Sequence, residues 1–596
     1  MNILLLSSAF NGLSQRAYGE LLRAGHTVHV RLAINEDVIR ADVAELRPDL
    51  ILCPFLKDRV PADVYTQTPT LIVHPGRPGD RGPSSLDWTI HNNLSEWGVT
   101  VLEAGEIMDG GDIWAHALYE RHDTRKGALY NGQSADAAMH AMHEAVRRYP
   151  DWKAGTWTPR VLNEQDPDIL GREQPLMRMP ERQITWGMSS ADIIRRIHAA
   201  DGVPGAPAHL SVHGRDLGEF LLFDVHAEDE LKGSGQPGEI IGQRDDAVLI
   251  QTADRPIWIG HLRPRRKGAI KLPATTLLRG ELGGVPTYDL HPWSEPWADT
   301  YQPIRVRRHG ALLRVTWTLY NGAMSTAQLQ RLRAAVGHAL NEQPAVLLLD
   351  SGTQESFSNG IHLNVIDAAP GEQGPAHEAW ANINAINDVI QDVLEAPGDV
   401  LVISGVAANA GAGGVILGLA ADVVVARQGV VLNPHYRSMG LYGSEFWTRL
   451  LPARVGPDLT AHYTQRCVPV TADQALSDGL VDHVLPRDPR AWHQGLRDLA
   501  DRLISGPERT ALLALKRQRR QAADATRSLH EHRQDELSQM HLDMYDDASG
   551  FAAARHAFVH KTKTTQTPAH VTDLPRTLAD WPARTAVTPD TELALA

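Results

Sequence analysis

Short apolar runs alternate with amphipathic segments at the start of this chain, and this alternation restricts the fold more than any other feature. Asn2–Ser7 (NILLLS) and His26–Leu32 are predicted to be strands on either side of an amphipathic helix at Leu13–Ala24. Strands connected in this way pair in parallel, so the pattern predicts a doubly wound α/β domain whose ligands lie beyond the carboxyl ends of the strands. The first turn, Ser8–Gly12, lacks the GxGxxG sequence, and we predict no dinucleotide site there.

Changes in pattern along the chain predict several domains and a multidomain α/β class. A length of 596 residues is compatible with roughly three or four domains. Pro- and charge-rich stretches at 155–182 and 276–302 are predicted to be linkers. The predicted domains are a Rossmann-like domain at 1–155, a small, mostly β module at 183–275, a second α/β domain at 303–500, and a helical C-terminal extension and tail at 501–596.

Charge, cysteine content and hydropathy exclude several classes of function. The net charge of −14 gives no sign of a nucleic-acid partner. Cys53 and Cys467 are the only cysteines and are far apart, so we predict neither a disulfide framework nor a metal site. Met1–Phe10 lacks a basic lead-in and is expected to be a first strand, not a signal peptide. Because no apolar run approaches the roughly 20 residues of a spanning helix, we predict a cytoplasmic protein without membrane contact.

Three polar segments at predicted strand ends form the first candidate site. They are His74–Gly76, Asp80–Pro83 and Met108–Ile113. Chemistry on a formyl amide needs a group that stabilises the tetrahedral oxyanion and a carboxylate that organises proton transfer. His74 and Asp109 are the candidates, although each segment alone is typical of a loop or turn.

Together with Gly98–Val101, these segments resemble the 10-formyltetrahydrofolate-dependent transferases over residues 1–155. The module at 183–275 resembles the OB-like C-terminal domain of the methionyl-tRNA members of that family, on Trp186 and Pro204–Ala206. The resemblance implies a Rossmann-like formyltransferase domain that uses 10-formyltetrahydrofolate. It also assigns catalytic roles to His74 and Asp109, and a folate-site loop to Asp80, Arg81 and Gly82.

One position departs from the formyltransferase pattern. The family's asparagine, which polarises the formyl carbonyl, is Ile72 in this chain. Loss of one such donor typically lowers the rate by about 100-fold or more. Either another group compensates or the acceptor differs from the usual amine, so we expect neither an ordinary tRNA-formylating nor a sugar-formylating enzyme.

A second candidate site follows from two glycine-containing segments, Phe357–Leu363 and Ala408–Ile416. With the turn at Ala472–Val481, they resemble the crotonase (enoyl-CoA hydratase/isomerase) family over residues 303–500. The resemblance implies a coenzyme A thioester site. The backbone N–H groups of Ile361 and Gly413 would form its oxyanion hole, which does not depend on side-chain identity.

The two carboxylates of crotonase hydratases are missing from this site. Their positions are Ile416 and Tyr436. A preserved oxyanion frame without these acids predicts the same electrophile with different chemistry. Tyr436 and Glu445, at the start of a helix predicted over Ser444–Leu451, are the candidate catalytic residues. Other polar groups expected near this pocket are His435, Tyr442 and Ser444.

Both halves, in this order, resemble the HypX/HoxX family of hydrogenase-maturation proteins. This resemblance implies formyl transfer from 10-formyltetrahydrofolate to coenzyme A, followed by breakdown of formyl-CoA to CO and CoA. The CO would become a ligand of the iron in a NiFe hydrogenase, with its large subunit or its maturation proteins as partners. Two alternatives remain: a formyltransferase fused to a true acyl-CoA hydratase or isomerase, and a non-catalytic scaffold that binds folate and CoA.

Overall fold

The computed structural model describes residues 1–163, 165–353 and 355–584. The chain divides into two compact units. The first contains residues 1–290, 296–301 and 564–578, and the second contains 291–295, 302–563 and the residues from 579 onward. The part of the predicted tail beyond residue 584 lies outside the described residues.

The N-terminal part of the first unit is a six-stranded sheet with helices on its faces. Its strands are β1 (Asn2–Ser7), β2 (Thr27–Leu32), β3 (Leu50–Cys53), β4 (Thr70–His74), β5 (Glu96–Glu103) and β6 (Ile113–Glu120). Its helices are α1 (Gly12–Arg23), α2 (Glu36–Leu46), α3 (Ala62–Tyr65), α4 (Ser85–His91), α5 (Lys126–Leu129) and α6 (Ala135–Lys153), with a π-helical turn at Tyr130–Ser134. The strand order is β2-β1-β3-β4-β5-β6, and β5 and β6 are antiparallel to their neighbours.

β1 is an interior strand of this sheet and is fixed by burial on both faces. Ile3, Leu4, Leu5 and Leu6 are fully buried, and each large aliphatic side chain contributes about 1.5–3 kcal/mol relative to exposure. Uninterrupted apolar runs of this kind are typical of parallel strands covered by helices. The predicted α/β class and the alternation of the first strands and helix are confirmed.

The remainder of the first unit is the small β module. Its elements are α7 (Met179–Arg182), α8 (Ser190–Ala200), β7 (Ala206–Val212), β8 (Arg215–Ala227), β9 (Ile240–Arg244), β10 (Ala247–Ile250), β11 (Ile257–Pro264), β12 (Leu272–Pro273) and α9 (Ala274–Leu277). The sheet order is β7-β8-β11-β10-β9, and β12 pairs with β11. The predominance of strands agrees with the mostly β module predicted for this region.

Both predicted linkers contain backbone that is held by hydrogen bonds to structured parts of the first unit. Gly171 N–H donates to Pro78 O at 2.8 Å, and Gln174 N–H donates to Arg81 O at 2.9 Å. In the other stretch, Thr300 Oγ1 accepts a 2.7 Å hydrogen bond from Arg244. Pro-rich composition indicates extended backbone, but extended backbone can still be held by hydrogen bonds.

The second unit contains a mixed six-stranded sheet and a small three-stranded sheet. Its strands are β13 (Ile304–His309), β14 (Leu312–Trp317), β15 (Val346–Ser351), β16 (Leu401–Val406), β17 (Ala410–Gly411), β18 (Val423–Arg427), β19 (Val431–Asn433), β20 (Val470–Thr471) and β21 (His483–Leu485). The large sheet has the order β13-β14-β15-β16-β18-β21, parallel apart from the β13-β14 pair, and the small one has the order β17-β19-β20.

Ten helices of the second unit and one of the first complete the described structure. They are α10 (Thr326–Asn341), α11 (Leu363–Asp367), α12 (Gly374–Leu394), α13 (Gly413–Leu419), α14 (Trp447–Thr464), α15 (Ala472–Ser477), α16 (Pro489–Ser505), α17 (Glu508–Thr526), α18 (Leu529–Tyr545), α19 (Phe551–Val559) and α20 (Ala569–Thr572). Single 3₁₀ turns lie at Tyr320–Gly322, Arg437–Met439 and Leu578–Asp580.

The N-terminus of α10 has a capping box. The Ser325 hydroxyl accepts from Gln328 N–H, and the Gln328 side chain accepts from Ser325 N–H. These two bonds satisfy backbone donors that a helix start leaves unpaired. Among the residues described, none of the helices is both long and apolar enough to cross a membrane.

Candidate functional sites

His74 is the centre of the first site and lies between two carboxylates. Its Nε2 is 2.8 Å from Asp80 Oδ2, and its Nδ1 is 3.3 Å from Asp109 Oδ2. His74 and Asp80 are almost completely buried. The sequence analysis placed Asp80 in the folate-site loop, and the structure brings it directly against the imidazole.

Backbone conformation creates the close approach of these three groups. A Cβ on Gly76 would lie 2.5 Å from His74 Nε2, so this position requires glycine. Asp109 has a φ of 54°, a left-handed conformation that aspartate tolerates in turns. Its Oδ2 also accepts a 3.2 Å hydrogen bond from Gly82 N–H. The turn therefore holds the Asp109 carboxylate between His74 and the loop that contains Gly82.

Electrostatics favour a positive charge on His74. Burial alone lowers the pKa of this imidazole, but the hydrogen bond to Asp80 and the charge of Asp109 outweigh burial and raise it above its ordinary value. Arg81 also lies on the loop, where its Nη2 is 3.5 Å from Glu173 Oε2. Ile72, in place of the expected asparagine, is a partly buried residue of β4. The site can therefore move a proton and hold charge, but it has no amide side chain at position 72.

In the second unit, backbone pairing brings the two predicted oxyanion donors to one place. Phe357 N–H donates to Asn409 O, and Gly411 N–H donates to Ser358 O, both at 2.9 Å. Just beyond this pairing, a Cβ on Gly360 would lie 3.5 Å from the Gly413 nitrogen. Within the described part of the chain, neither the Ile361 nor the Gly413 N–H donates a hydrogen bond. Two such N–H groups are suited to donate hydrogen bonds to a thioester oxygen.

A carboxylate side chain lies against this pair of donors. A Cβ on Gly413 would collide with Glu445 Oε1 and would lie 2.7 Å from Glu445 Cδ. Glu445 is 1% exposed. Glycine at 413 thus leaves the space that the carboxylate fills, and the acid reaches the oxyanion region from a chain position different from those of the hydratase acids.

The other oxygen of the carboxylate is held by Tyr436 and Ser444. The Tyr436 hydroxyl donates to Glu445 Oε2 at 2.8 Å, and Ser444 N–H donates to the same oxygen at 3.0 Å. Asn387 Oδ1 accepts from Glu445 N–H at 2.7 Å and from the Ser444 hydroxyl at 3.1 Å. The side chain and the backbone of Glu445 are therefore both fixed.

A second buried carboxylate, Glu536, lies behind this site. Its two oxygens accept from Phe446 N–H at 2.8 Å and Thr448 N–H at 2.9 Å, and so satisfy donors at the start of α14. Burial raises the pKa of Glu445 to about 7, and the charge of Glu536 also raises it. Burial likewise raises the pKa of Glu536 to about 7. Burial and the adjacent Glu445 raise the pKa of Tyr436 well above 10.

The predicted first residue of the helix expected over Ser444–Leu451 is wrong. Glu445 and Phe446 have φ values of 68° and 64°, and α14 begins only at Trp447. Sequence pattern could not show this, because neither residue is a glycine. The consequence is that Glu445 points into the protein rather than lying on a solvent-facing helix.

The remaining predicted residues of the second site are only partly brought together. Ser444 is fully buried beside Glu445, and Ile416 is a fully buried core residue of α13. Tyr442 is 43% exposed, and its ring packs against Trp447 at 5.5 Å. His435 is half-buried, with its Nδ1 3.4 Å from the Ser438 hydroxyl.

Asn382, Asn387 and Glu536 were not predicted as site residues. Asn382 Oδ1 accepts from His362 N–H at 2.9 Å and so supports the segment that follows Ile361. Asn382 and Asn387, two of the three asparagines in the apolar stretch WANINAIND of α12, were an available signal, because buried polar side chains require partners. Glu536 lies in a strongly polar segment and had no comparable signal.

Two protein-family models match parts of the chain. The enoyl-CoA hydratase/isomerase family model matches residues 320–567, and the model of the formyl transferase C-terminal domain matches residues 177–281. A methionyl-tRNA formyltransferase from Streptococcus agalactiae is 26% identical over 190 residues, which are 32% of this chain and 56% of that protein. The chain thus spans little more than half of that relative.

Two similar proteins match almost the whole chain. Hydrogenase maturation factor HoxX from Bradyrhizobium diazoefficiens is 40% identical over 570 residues, which cover 95% of this chain and 96% of that protein. The crystal structure of HypX from Aquifex aeolicus in complex with tetrahydrofolic acid is 36% identical, with a TM-score of 0.89, and covers 97% of this chain and 99% of that one. These matches confirm the predicted formyltransferase-like and crotonase-like fold. The chain belongs to the HoxX/HypX family of hydrogenase maturation factors.

Proposed function

We propose that this protein transfers formyl from 10-formyltetrahydrofolate to coenzyme A and then decomposes formyl-CoA to CO and CoA. The observation that carries the proposal is the position of Glu445. Its carboxylate lies against Gly413 in an oxyanion frame from which the hydratase acids are absent. This arrangement supports proton removal from a small thioester better than hydration of a long acyl chain.

In the first site, His74 and Asp109 are the proposed catalytic pair. Asp109 would accept the proton of the CoA thiol as the sulfur bonds to the formyl carbon, and it would return a proton to the departing folate nitrogen. His74, whose positive charge is favoured by the carboxylates of Asp80 and Asp109 within 3.3 Å of its ring nitrogens, would stabilise the tetrahedral oxyanion formed between these steps. Asp80, Arg81 and Gly82 are proposed to form the folate-site loop.

In the second site, Glu445 is the proposed base. The N–H groups of Ile361 and Gly413 would polarise the formyl carbonyl, which acidifies the formyl C–H bond. Glu445 would take that proton while the C–S bond breaks and its electron pair goes to sulfur. Return of one proton to the thiolate then gives CO and CoA with atoms and charge balanced. Tyr436 orients Glu445 and is the alternative donor of the returning proton.

The similar proteins support the biological context of this proposal. One is named a hydrogenase maturation factor, and another was crystallised with tetrahydrofolic acid. We therefore propose 10-formyltetrahydrofolate and CoA as substrates of this chain. The CO would serve as a ligand of a NiFe hydrogenase, with its large subunit or its maturation proteins as partners in the cytoplasm. We also propose that residues 1–155 are the formyltransferase domain and 183–275 the OB-like domain. Residues 303–500 would be the crotonase-like domain, and 501–596 the helical C-terminal extension and tail.

Incubation of the full chain with 10-formyltetrahydrofolate and CoA tests the proposal, with haemoglobin absorbance as the readout for CO. We expect CO only when both substrates are present. Accumulation of formyl-CoA without CO would overturn the role of the second site. Turnover of an enoyl-CoA would support a true hydratase instead, and the absence of any folate deformylation in a single turnover would support a scaffold.

A further inference from the structure

Three metal-ligating side chains converge at the surface of the second unit. Asp367 lies at the end of α11, and His556 and His560 lie one helical turn apart in and just after α19. Asp367 Oδ2 is 3.0 Å from His560 Nε2 and 3.9 Å from His556 Nδ1. One ligand atom from each of the three residues lies within 4.8 Å of the other two.

The distances between these ligand atoms are close to those between the ligand atoms of a coordinated cation. Metal–nitrogen bonds of about 2.0–2.1 Å in a tetrahedral site place the ligand atoms roughly 3.4 Å apart. The His556 side chain is 64% exposed, so a change of rotamer can shorten its distance to the other two ligands without moving the backbone. Histidines four residues apart on a helix are a recurrent arrangement for such ligands.

The Asp367 carboxylate is already oriented for this role. Arg555 Nε donates to Asp367 Oδ1 at 3.0 Å and leaves Oδ2 facing both histidines. A hydrogen-bonded outer partner of this kind fixes the direction of a ligand. The positive charge of the Arg555 guanidinium lowers the affinity of this site for hard cations, which are held by charge alone. Imidazole nitrogens instead favour zinc, nickel, cobalt and copper.

We propose that Asp367, His556 and His560 bind one divalent transition cation of this class, with water at the remaining position. Cysteine spacing does not indicate this site, because its ligands are an aspartate and two histidines, and Asp367 is remote in sequence from both histidines. The cation would join α11, which begins two residues after Ile361, to α19. The loop before α19 contacts the turn after Tyr436, since a Cβ on Gly440 would lie 2.6 Å from Ser549 O.

Calorimetric titration of the untagged full chain with zinc chloride tests the site, because an affinity tag would bind the same ions. We expect one equivalent of zinc in the wild type. His556→Ala and His560→Ala should each weaken that binding by more than the roughly 10- to 100-fold that loss of an outer-shell partner costs. His530→Ala, which removes another exposed histidine, should leave binding unchanged.

Cobalt(II) absorption gives a second readout that does not depend on heat. Bands of a nitrogen-ligated, low-symmetry cobalt ion should appear in the wild type and in His530→Ala, and they should be lost in His556→Ala. His556 is the most exposed of the three residues, so its variant should fold normally. Equal zinc binding in all variants, or no stoichiometric binding by the wild type, would overturn the proposal.

Discussion

The Tyr436 hydroxyl donates a 2.8 Å hydrogen bond to Oε2 of Glu445, and both side chains are buried. The bond leaves the second carboxylate oxygen against Gly413. Because a hydrogen bond to the charged form lowers the pKa of an acid, Tyr436 opposes the effect of burial on Glu445. The pair therefore sets both the direction and the proton affinity of the carboxylate.

Replacement of Glu445 separates the two proposed reactions. Glu445→Gln should form formyl-CoA at the wild-type rate but release CO about 100- to 10,000-fold more slowly, since it removes the general base. Quantification of formyl-CoA and CO in the same reaction checks this. Exposed Glu372→Gln is the matched control and should behave as the wild type. Unimpaired CO release by Glu445→Gln would remove Glu445 from the mechanism.

The rate of CO release should depend on pH through Glu445. A base acts in its ionised form, so release from supplied formyl-CoA should rise with pH around a midpoint of about 7. Tyr436→Phe removes the hydrogen bond that lowers this pKa and should shift the midpoint to higher pH. Rate profiles of the two proteins test the shift. An unchanged midpoint in Tyr436→Phe would mean that the hydrogen bond does not tune Glu445.

A methyl group on Gly413 should displace the carboxylate. Gly413→Ala keeps the backbone N–H but occupies the space of Glu445 Oε1, so CO release should fall as strongly as in Glu445→Gln. The Gly413→Ala, Glu445→Gln double variant should release CO no more slowly than either single variant, because both changes remove the same function of the Glu445 carboxylate. Gly418→Ala, in the same helix, is the control: its Cβ would lie 3.4 Å from the nearest atom. Additive losses would contradict the proposed contact.

Loss of formyl transfer at the first site should leave CO release at the second site unchanged. Asp109→Asn removes the carboxylate next to His74 Nδ1 and should slow formyl-CoA formation by about 100-fold or more. CO release from supplied formyl-CoA should be unchanged. The exposed Asp151→Asn variant serves as the control. A parallel loss of both activities would indicate a structural role for Asp109.

The two buried acids of the second unit should make stability depend on pH. Their folded pKa values, about 7, exceed the ordinary value of 4.5. Their stability contribution is therefore fully present below about pH 4.5 and is lost as pH rises through about 7, by on the order of 3 kcal/mol for each group. Hydrogen exchange of α14 amides measures this loss. The Glu445→Gln, Glu536→Gln double variant should show a flatter profile, and an identical profile would refute the assignment.

The parts of the sites that sequence predicted depend on short-range pattern. His74 ends β4, and Asp109 lies in the connection between β5 and β6, directly before Gly110 and Gly111. Ile361 and Gly413 belong to glycine-containing segments whose backbone pairing brings the two proposed oxyanion donors to one place. In each case a strand end or a glycine determines where the functional group lies.

The parts that sequence did not predict depend on long-range packing or unusual backbone. The loop that carries Asp80 to His74 is also hydrogen-bonded to the distant stretch around Gly171. Asn387 and Glu536 approach Glu445 from α12 and α18, which are distant in sequence. No local periodicity carries that information, since each contact arises from the packing of separate helices.

The left-handed conformation shared by Glu445 and Phe446 has an implication for enzyme design. Each such residue carries a conformational cost of about 1–3 kcal/mol, which the surrounding hydrogen bonds must offset. The acid is thus aimed by the main chain rather than by a choice of rotamer. Grafting a glutamate alone onto an ordinary hydratase would leave it misdirected, and a successful transplant would have to include the two-residue turn and the asparagine that supports it.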